Sequence, residues 1–289
     1  MAYGATMNES RNDGRVVVIT GGSDGIGAAA ARALAKSGDR VVLVGRSPAK
    51  TSAVAAEIGA EGHVADFADL GQVREVAAEI GREYPRIDIL VNNAGLIAGP
   101  ARTVTADGHE LTFQVNHLAP FLLTALLRDQ LSAAGGSVIT TSSRAGATRS
   151  ARLDTDDLDM AAGYNSLRAY QASKLANVLF TQEVARRWAP LKISAAAMHP
   201  GIVRSQWGKS GPVFIRAVAN SPFRRLMRSP ERGADTIVWL ATSAPGKDWT
   251  TGGYYADRKP ATPSRLAEDP GLAKLLWDKS AAMCGLELT

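Results

Sequence analysis

Residues 15–27 read Arg-Val-Val-Val-Ile-Thr-Gly-Gly-Ser-Asp-Gly-Ile-Gly (RVVVITGGSDGIG). A short β-branched apolar run leads directly into a glycine-rich turn and then into the alanine-rich stretch 26–36, which predicts strand, tight turn and helix in succession. Glycines at 21, 25 and 27 allow a sharp turn and close backbone approach to a ligand. The helix that follows offers unpaired N–H groups and the positive end of its dipole. Gly21, Ser23, Asp24, Gly25, Ile26 and Gly27 are therefore candidates for holding a pyrophosphate. Such a turn alone is only a tight turn. Its place at the end of the first strand of a strand–helix–strand unit makes it a dinucleotide signal, with the spacing GxxxGxG rather than GxGxxG.

Working outward, apolar runs recur at 40–44, 63–65, 87–91, 137–141 and 193–198, separated by helical stretches at 49–58, 70–81, 108–131, 168–188 and 231–242. Continuously apolar strands are buried on both faces, and their alternation with helices implies right-handed parallel crossovers. The expected fold is α/β: a Rossmann-like doubly wound parallel sheet of about seven strands with helices on both faces. It forms a single domain over 14–289, ending in a C-terminal helix and preceded by a polar tail, 1–13, expected to be disordered. Two segments interrupt the alternation. One is the Asp-rich excursion 144–166; the other is 202–230, which carries Trp207, Phe214, Phe223 and several arginines. Long connections of this kind are candidate substrate loops.

The 289 residues carry a formal net charge of +5, with the basic residues scattered rather than striped, so no nucleic-acid partner is expected. Cys284 is the only cysteine, and His63, His109, His117 and His199 are far apart in sequence, so neither a disulfide nor a metal site is expected. With no signal pattern and no apolar run near eighteen residues, the expectation is a cytoplasmic protein without a membrane partner.

The end of the second strand bears on which dinucleotide binds. An NAD site usually offers a carboxylate there to the ribose hydroxyls, whereas this chain offers Gly45 and then Arg46. A guanidinium can bind a 2′-phosphate in a bidentate way, so NADP(H) is the expected cofactor; an ordinary solvated arginine is the competing reading. Asp66, followed by Phe67, stands after the third strand where it could accept from an adenine amino group. Asn93, Ala94 and Gly95 follow the fourth strand at the same sheet edge, small enough for a ribose to come close.

Tyr170 and Lys174 are four residues apart in a helical stretch and so share one face. An ammonium beside a phenol would favour the phenolate and lower the tyrosine pKa from about 10. The pair is thus a candidate proton donor and acceptor, although by itself the spacing is common on exposed helices.

TGGSDGIG at 20–27, NNAG at 92–95, Asn116, the serines 142–143, YQASK at 170–174 and PG at 200–201 occur in the order of the short-chain dehydrogenase/reductase family, which the chain resembles over roughly residues 14–260. Within it, the stretches 105–127, 169–187 and 199–205, with LWDKS near the C-terminus, resemble the retinol-dehydrogenase-like and WW-domain-oxidoreductase-like branch. The 27-residue separation of Ser143 and Tyr170 is similar to that branch, while Ser205 stands where many relatives have Thr.

The resemblance implies hydride transfer between a nicotinamide and a carbonyl or alcohol. Tyr170 would be the general acid/base, Lys174 its electrostatic partner and ribose contact, Ser143 rather than Ser142 the donor to the carbonyl oxygen, and Asn116 the holder of a relay water. Pro200, Gly201, Val203 and Ser205 would line the nicotinamide end. The expected substrate is a bulky apolar ketone or aldehyde, either polyketide-derived, steroid-like or isoprenoid, and relatives that pair through the helices carrying Asn116 and Tyr170 suggest a homodimer or homotetramer. The alternative is a catalytically idle NADP-binding regulator on the same fold. His117 and His199 read as packing or capping residues.

Overall fold

In the computed structural model, which describes residues 14–148, 151–203 and 227–287, β1 (Val16–Thr20) is buried along its whole length at the middle of the sheet. Its side chains alternate between two apolar cores: Val16 and Val18 face one side, Val17 and Ile19 the other. That double burial is why the strand has no polar face.

Around β1 lie β2 (Arg40–Gly45), β3 (Glu61–Val64), β4 (Ile89–Asn92), β5 (Ser137–Thr141), β6 (Ser194–His199), β7 (Gly253–Ala256) and β8 (Lys259–Pro260), in the order β3-β2-β1-β4-β5-β6-β7-β8. All pairings are parallel except β7 with β8. The order reverses between β1 and β4, which opens a crevice at their carboxyl ends.

On one face pack α1 (Gly25–Lys36), α2 (Pro48–Ile58) and α8 (Pro230–Thr242), burying Ala30, Ala31, Leu34 and Ile237 against Val17, Ile19 and Met198. On the other lie α3 (Leu70–Glu83), the segments α4 (Leu111–Phe113), α5 (Ala119–Leu126) and α6 (Arg128–Ala134), α7 (Ser166–Arg187) and α9 (Pro270–Met283). Each start has a local cause. Asp24, Ser47, Asp69, Asn165, Ser229 and Asp269 accept from backbone N–H groups at the starts of α1, α2, α3, α7, α8 and α9. The helix α9 docks on α7 through rings: Trp277 lies 4.9 Å from Phe121, 6.0 Å from Phe180 and 5.9 Å from Trp188 between centroids.

The sheet has eight strands rather than about seven. The last two are the short glycine- and tyrosine-bearing β7 and a two-residue β8, neither of which shows an apolar run. The expected single helix over 108–131 is instead broken. Gly108 has φ +90° and keeps the chain out of a helix until Glu110 caps α4, and the turn Gln114–Leu118 is π-helical. β3 runs over Glu61–Val64, earlier than the expected 63–65. The tail 1–13 and nearly all of the 202–230 loop, with Trp207, Phe214 and Phe223, lie outside the described residues. Among the described residues, no helix is long and apolar enough to cross a membrane.

Trp277 is 6% exposed at the centre of the aromatic contacts between α5, α7 and α9. Trp277→Ala should lower the unfolding free energy by about 3–5 kcal/mol in urea, the usual cost of emptying a buried aromatic site.

Candidate active site

The cradle predicted from residues 20–27 forms at the β1–β4 crevice. A side chain at Gly27 would place its Cβ 2.2 Å from the Gly21 oxygen and 2.6 Å from Asn93 Nδ2; at Gly21 it would lie 3.0 Å from the Ala94 Cα. Neither position has room for a Cβ, so the turn packs closely against the end of β4 and sets the start of α1 at the crevice, where the first N–H groups of that helix would hold a pyrophosphate. Thr20, not singled out from sequence, ties the turn together. Its hydroxyl donates to the Val91 oxygen at 3.2 Å and accepts from the N–H groups of Asn93 and Ala94 at 3.0 and 3.1 Å. Asn93 Nδ2 in turn donates to the Thr20 oxygen at 3.1 Å.

At the carboxyl end of β2, a Cβ on Gly45 would lie 2.3 Å from Thr51 Oγ1 and 2.8 Å from Ser23 Oγ, so Ser23 packs beside the strand end that leads into the exposed Arg46. Asp24 caps α1 through the Gly25 N–H and pairs with Lys50, a cation that sequence reading passed over. Asp66 Oδ1 accepts from Ala68 N at 3.0 Å. The Phe67 side chain, by contrast, belongs to the apolar core, so only its backbone could face a cofactor.

Past β6, Gly201 has φ +82° and donates from its N–H to His199 Nδ1 at 3.0 Å. Val203 packs against the face of Gly233 on α8, close to Ile26, which brings the turn after β6 to the start of α1. Ser205 lies outside the described residues.

The two serines after β5 part ways. Ser142 Oγ donates to the Lys174 carbonyl at 2.7 Å and is buried, whereas Ser143 hydrogen-bonds the Tyr170 hydroxyl. Lys174 Nζ donates to the Thr141 oxygen at 3.0 Å and stands 5.7 Å from the Tyr170 ring centroid. The expectation that this lysine would depress the tyrosine pKa is corrected here. Burial pushes the Tyr170 phenol up to about 12, with the Ser143 bond pulling the other way. Burial also pushes the Lys174 ammonium down to about 8. Desolvation disfavours both charged forms, and the bond from Lys174 is spent on a carbonyl rather than on the phenol.

Asn116 lies in the π-helical turn rather than in a regular helix. Its Oδ1 accepts from Leu96 N at 2.7 Å, and its Nδ2 donates to the Leu96 oxygen at 2.9 Å and to Ser173 Oγ at 3.0 Å. Both side-chain hydrogens are thus engaged in fixing the turn after β4 to α7. Gly95 forms the floor between the two groups: a Cβ there would lie 3.1 Å from Asn116 Oδ1 and 3.4 Å from Lys174 Nζ. At the opposite edge of the sheet, Glu61, His63 and Glu83 come within 4.8 Å of one another, with Tyr84 and Arg40 already engaging the two carboxylates.

A doubly wound sheet with this crevice, and with a serine, tyrosine and lysine gathered at its carboxyl edge, defines a class of nucleotide-dependent oxidoreductases. Comparison with known proteins places the chain in it. Residues 15–155 match the family model for short chain dehydrogenases. The chain is 46% identical over 94% of its length to a Streptomyces sp. (strain C5) protein provisionally named daunorubicin C-13 ketoreductase DnrU, covering 93% of that protein. It is 39% identical to human retinol dehydrogenase 13, over 98% of this chain and 88% of the relative. A short chain dehydrogenase from Shigella flexneri solved with NADP superposes with a TM-score of 0.64 at 26% identity, over 84% of this chain and 96% of that one. The chain belongs to the short-chain dehydrogenase/reductase family, in its retinol-dehydrogenase-like branch.

Two buried imidazoles give the site a pH signature. Burial, opposed by a bond to Asn177, pushes His117 down to about 4. His199 also falls to about 4, through burial first and then the nearby cations Arg144 and Arg228, against a smaller pull from Asp257. With folded values depressed, the unfolded chain binds more protons as pH falls below the free histidine value of about 6.5. Stability from these residues should be complete above about pH 6.5 and lost toward pH 4. In NMR titrations neither ring should protonate above about pH 5, and urea midpoints should fall between pH 7 and pH 5.

Proposed function

We propose that this protein is an NADP(H)-dependent carbonyl reductase whose substrate is a bulky apolar ketone. The observation that carries the reading is the convergence of Ser143, Tyr170 and Lys174 on the sheet edge that also holds the glycine cradle. When bound, the nicotinamide supplies the hydride to the carbonyl carbon.

Tyr170 donates its proton to the carbonyl oxygen as the hydride arrives, so that a neutral alcohol rather than an alkoxide is formed. Its high pKa keeps the phenol protonated until that moment. Ser143 donates to the same oxygen and opposes charge build-up on it. Lys174, held in reach by the Thr141 carbonyl, provides the cation that makes a transient phenolate tolerable and can turn a donor to the nicotinamide ribose. Asn116 fixes the floor of this arrangement through Leu96 and Ser173.

The preference for NADP(H) is supported by Ser23 and Arg46 at the end of β2, where no carboxylate stands to repel a 2′-phosphate. It is further supported by the NADP bound in the Shigella flexneri relative. A polycyclic polyketide ketone is favoured by the likeness to the Streptomyces protein provisionally named as a ketoreductase. A reduced NADP pool makes reduction the working direction.

Tyr170→Phe should keep NADPH binding, measured by energy transfer from protein to nicotinamide fluorescence, and lose about 10²–10⁴-fold of ketone reduction. Substantial retained turnover would sink the mechanism. Arg46→Ala should weaken NADPH binding by about ten- to a hundredfold while changing NADH binding by less than about twofold; equal losses would refute the role of this guanidinium. An anthracycline-type ketone should be reduced with a higher kcat/KM than retinal under the same conditions.

A further inference from the structure

His117 sits in the π-helical turn one residue past Asn116 and is 1% exposed. Its ring is packed among those of Phe113, Phe121 and Phe180, at centroid distances of 5.1, 6.2 and 6.2 Å. Both nitrogens are nonetheless engaged: Nδ1 lies 3.3 Å from Asn177 Oδ1 and Nε2 lies 2.8 Å from Ser280 Oγ on α9. Asn177 Nδ2 donates to the Thr141 oxygen at 3.3 Å, the same oxygen that accepts from Lys174 Nζ at 3.0 Å. The amide nitrogen of Asn177 is turned to Thr141, so its oxygen faces His117. Nδ1 must then carry the proton, and Nε2 accepts from the Ser280 hydroxyl.

We infer that His117 is a positioning residue that acts through Asn177: by holding this amide on the Thr141 carbonyl it makes the carbonyl a shared acceptor and limits how firmly it binds the Lys174 ammonium. A carbonyl with two donors is a weaker partner for each than a carbonyl with one. Without His117 the Asn177 amide is free to turn away, the Thr141 oxygen holds the ammonium more tightly, and less of the cation is available to the Tyr170 phenol. The same imidazole pins the π-helical turn to α7 and α9, so the C-terminal helix reaches the catalytic lysine through three side chains. A neutral ring suits this task, and burial among phenylalanines keeps it neutral.

Around Lys174 the only titratable side chain recorded among the described residues is Tyr170 on its own helix. β5 presents the Thr141 oxygen, the turn after β4 presents Gly95, and the segment after β5 presents Gly146 against the Lys174 backbone. The π-helical turn presents the Asn116 amide near the same floor. Hydrogen bonding to the charged form raises an amine pKa, so tighter binding to Thr141 has a definite sign.

The effect on catalysis rests on the proposed role of Lys174, but the arrangement can be read without turnover. In cofactor-free protein with ¹³Cε-labelled lysine, the Lys174 signal, assigned by its loss in Lys174→Arg, should titrate roughly half to one pH unit higher in His117→Phe than in the parent. The phenylalanine preserves the aromatic packing and removes both hydrogen bonds. Asn177→Ala should give the same upward shift, and the double variant should shift no further. An unchanged Lys174 midpoint in folded His117→Phe, or additive shifts in the double variant, would overturn the inference whatever the enzyme's activity. If His117→Phe does not fold, an unshifted Lys174 in Asn177→Ala overturns it equally. In the active enzyme, the acidic limb of the pH profile for alcohol oxidation should move upward with the Lys174 shift, whereas a purely structural role would lower thermal stability and leave the limb in place.

Discussion

The Thr20 hydroxyl joins the two halves of the sheet at the one place where strand order reverses. From this point the chain leaves β1 toward one face and leaves β4 toward the other, so the strand ends would splay and leave backbone groups unpaired. One side chain answers both problems by accepting from two successive N–H groups after β4 and donating to the Val91 oxygen. It is fully buried, so each bond it makes replaces one that water cannot supply. The glycines beside it follow from the same closeness: where β1 and β4 are drawn together, there is no volume for a Cβ at 21 or 27. The cradle is a consequence of this joint, and the proposed cofactor site inherits its position from it.

The second constraint is desolvation. Tyr170 and Lys174 are 8% and 3% exposed, and in the protein by itself burial dominates both groups, so the phenol moves up and the ammonium moves down. Their pKa values move apart, to about 12 and about 8, so burial holds the proton on the phenol and makes the ammonium easier to neutralise. A site built this way responds strongly to whatever enters it, because no solvent screens the added charge. An exposed tyrosine–lysine pair at the same spacing would be screened by water and would respond far less.

What was legible from sequence divides along the same physical lines. The sheet, its parallel sense and the place of the crevice could be read because strands buried on both faces leave an unbroken apolar signature, and β1, β2, β4, β5 and β6 all carry it. β7 and β8 could not be read, because the short strands Gly253–Ala256 and Lys259–Pro260 at the end of the sheet are specified by pairing partners rather than by pattern. The break in the 108–131 helix was hidden for a similar reason. The π-helical turn carries no sequence mark of its own and arises where Asn116 and His117 find partners in Leu96, Ser173, Asn177 and Ser280. Tyr170 and Lys174 were visible as a pair through helical spacing. The direction of their pKa shifts was not, since burial is a property of the assembled core. Asn177 did leave a trace, three residues past Lys174 on the same helical face, but a polar residue at that spacing has meaning only once Thr141 is known to lie opposite.

The division of labour between Ser142 and Ser143 shows how the sheet register reaches the chemistry. The chain after β5 is still extended: Ser142 N donates to the Met198 oxygen at 2.7 Å, continuing the ladder with β6, and Ser143 has φ −157° and ψ 155°. In extended chain successive side chains point to opposite sides, so two adjacent hydroxyls cannot share a task. One fastens α7 by its Lys174 carbonyl while the other meets the Tyr170 hydroxyl one turn earlier on the same helix. The spacing between these anchors matches one helical turn, so the strand end and the helix fix each other's axial position. A slip of β5 by one residue against β4 and β6 would carry one serine into the other's place and bring Thr141 or Arg144 into the place it vacates, so the two serine contacts could not both be kept. The register pairs Ile139↔Ala196 and Thr140↔Ala197, buried on both faces, make that slip costly. Packing deep in the sheet is thus what decides which serine meets the Tyr170 hydroxyl.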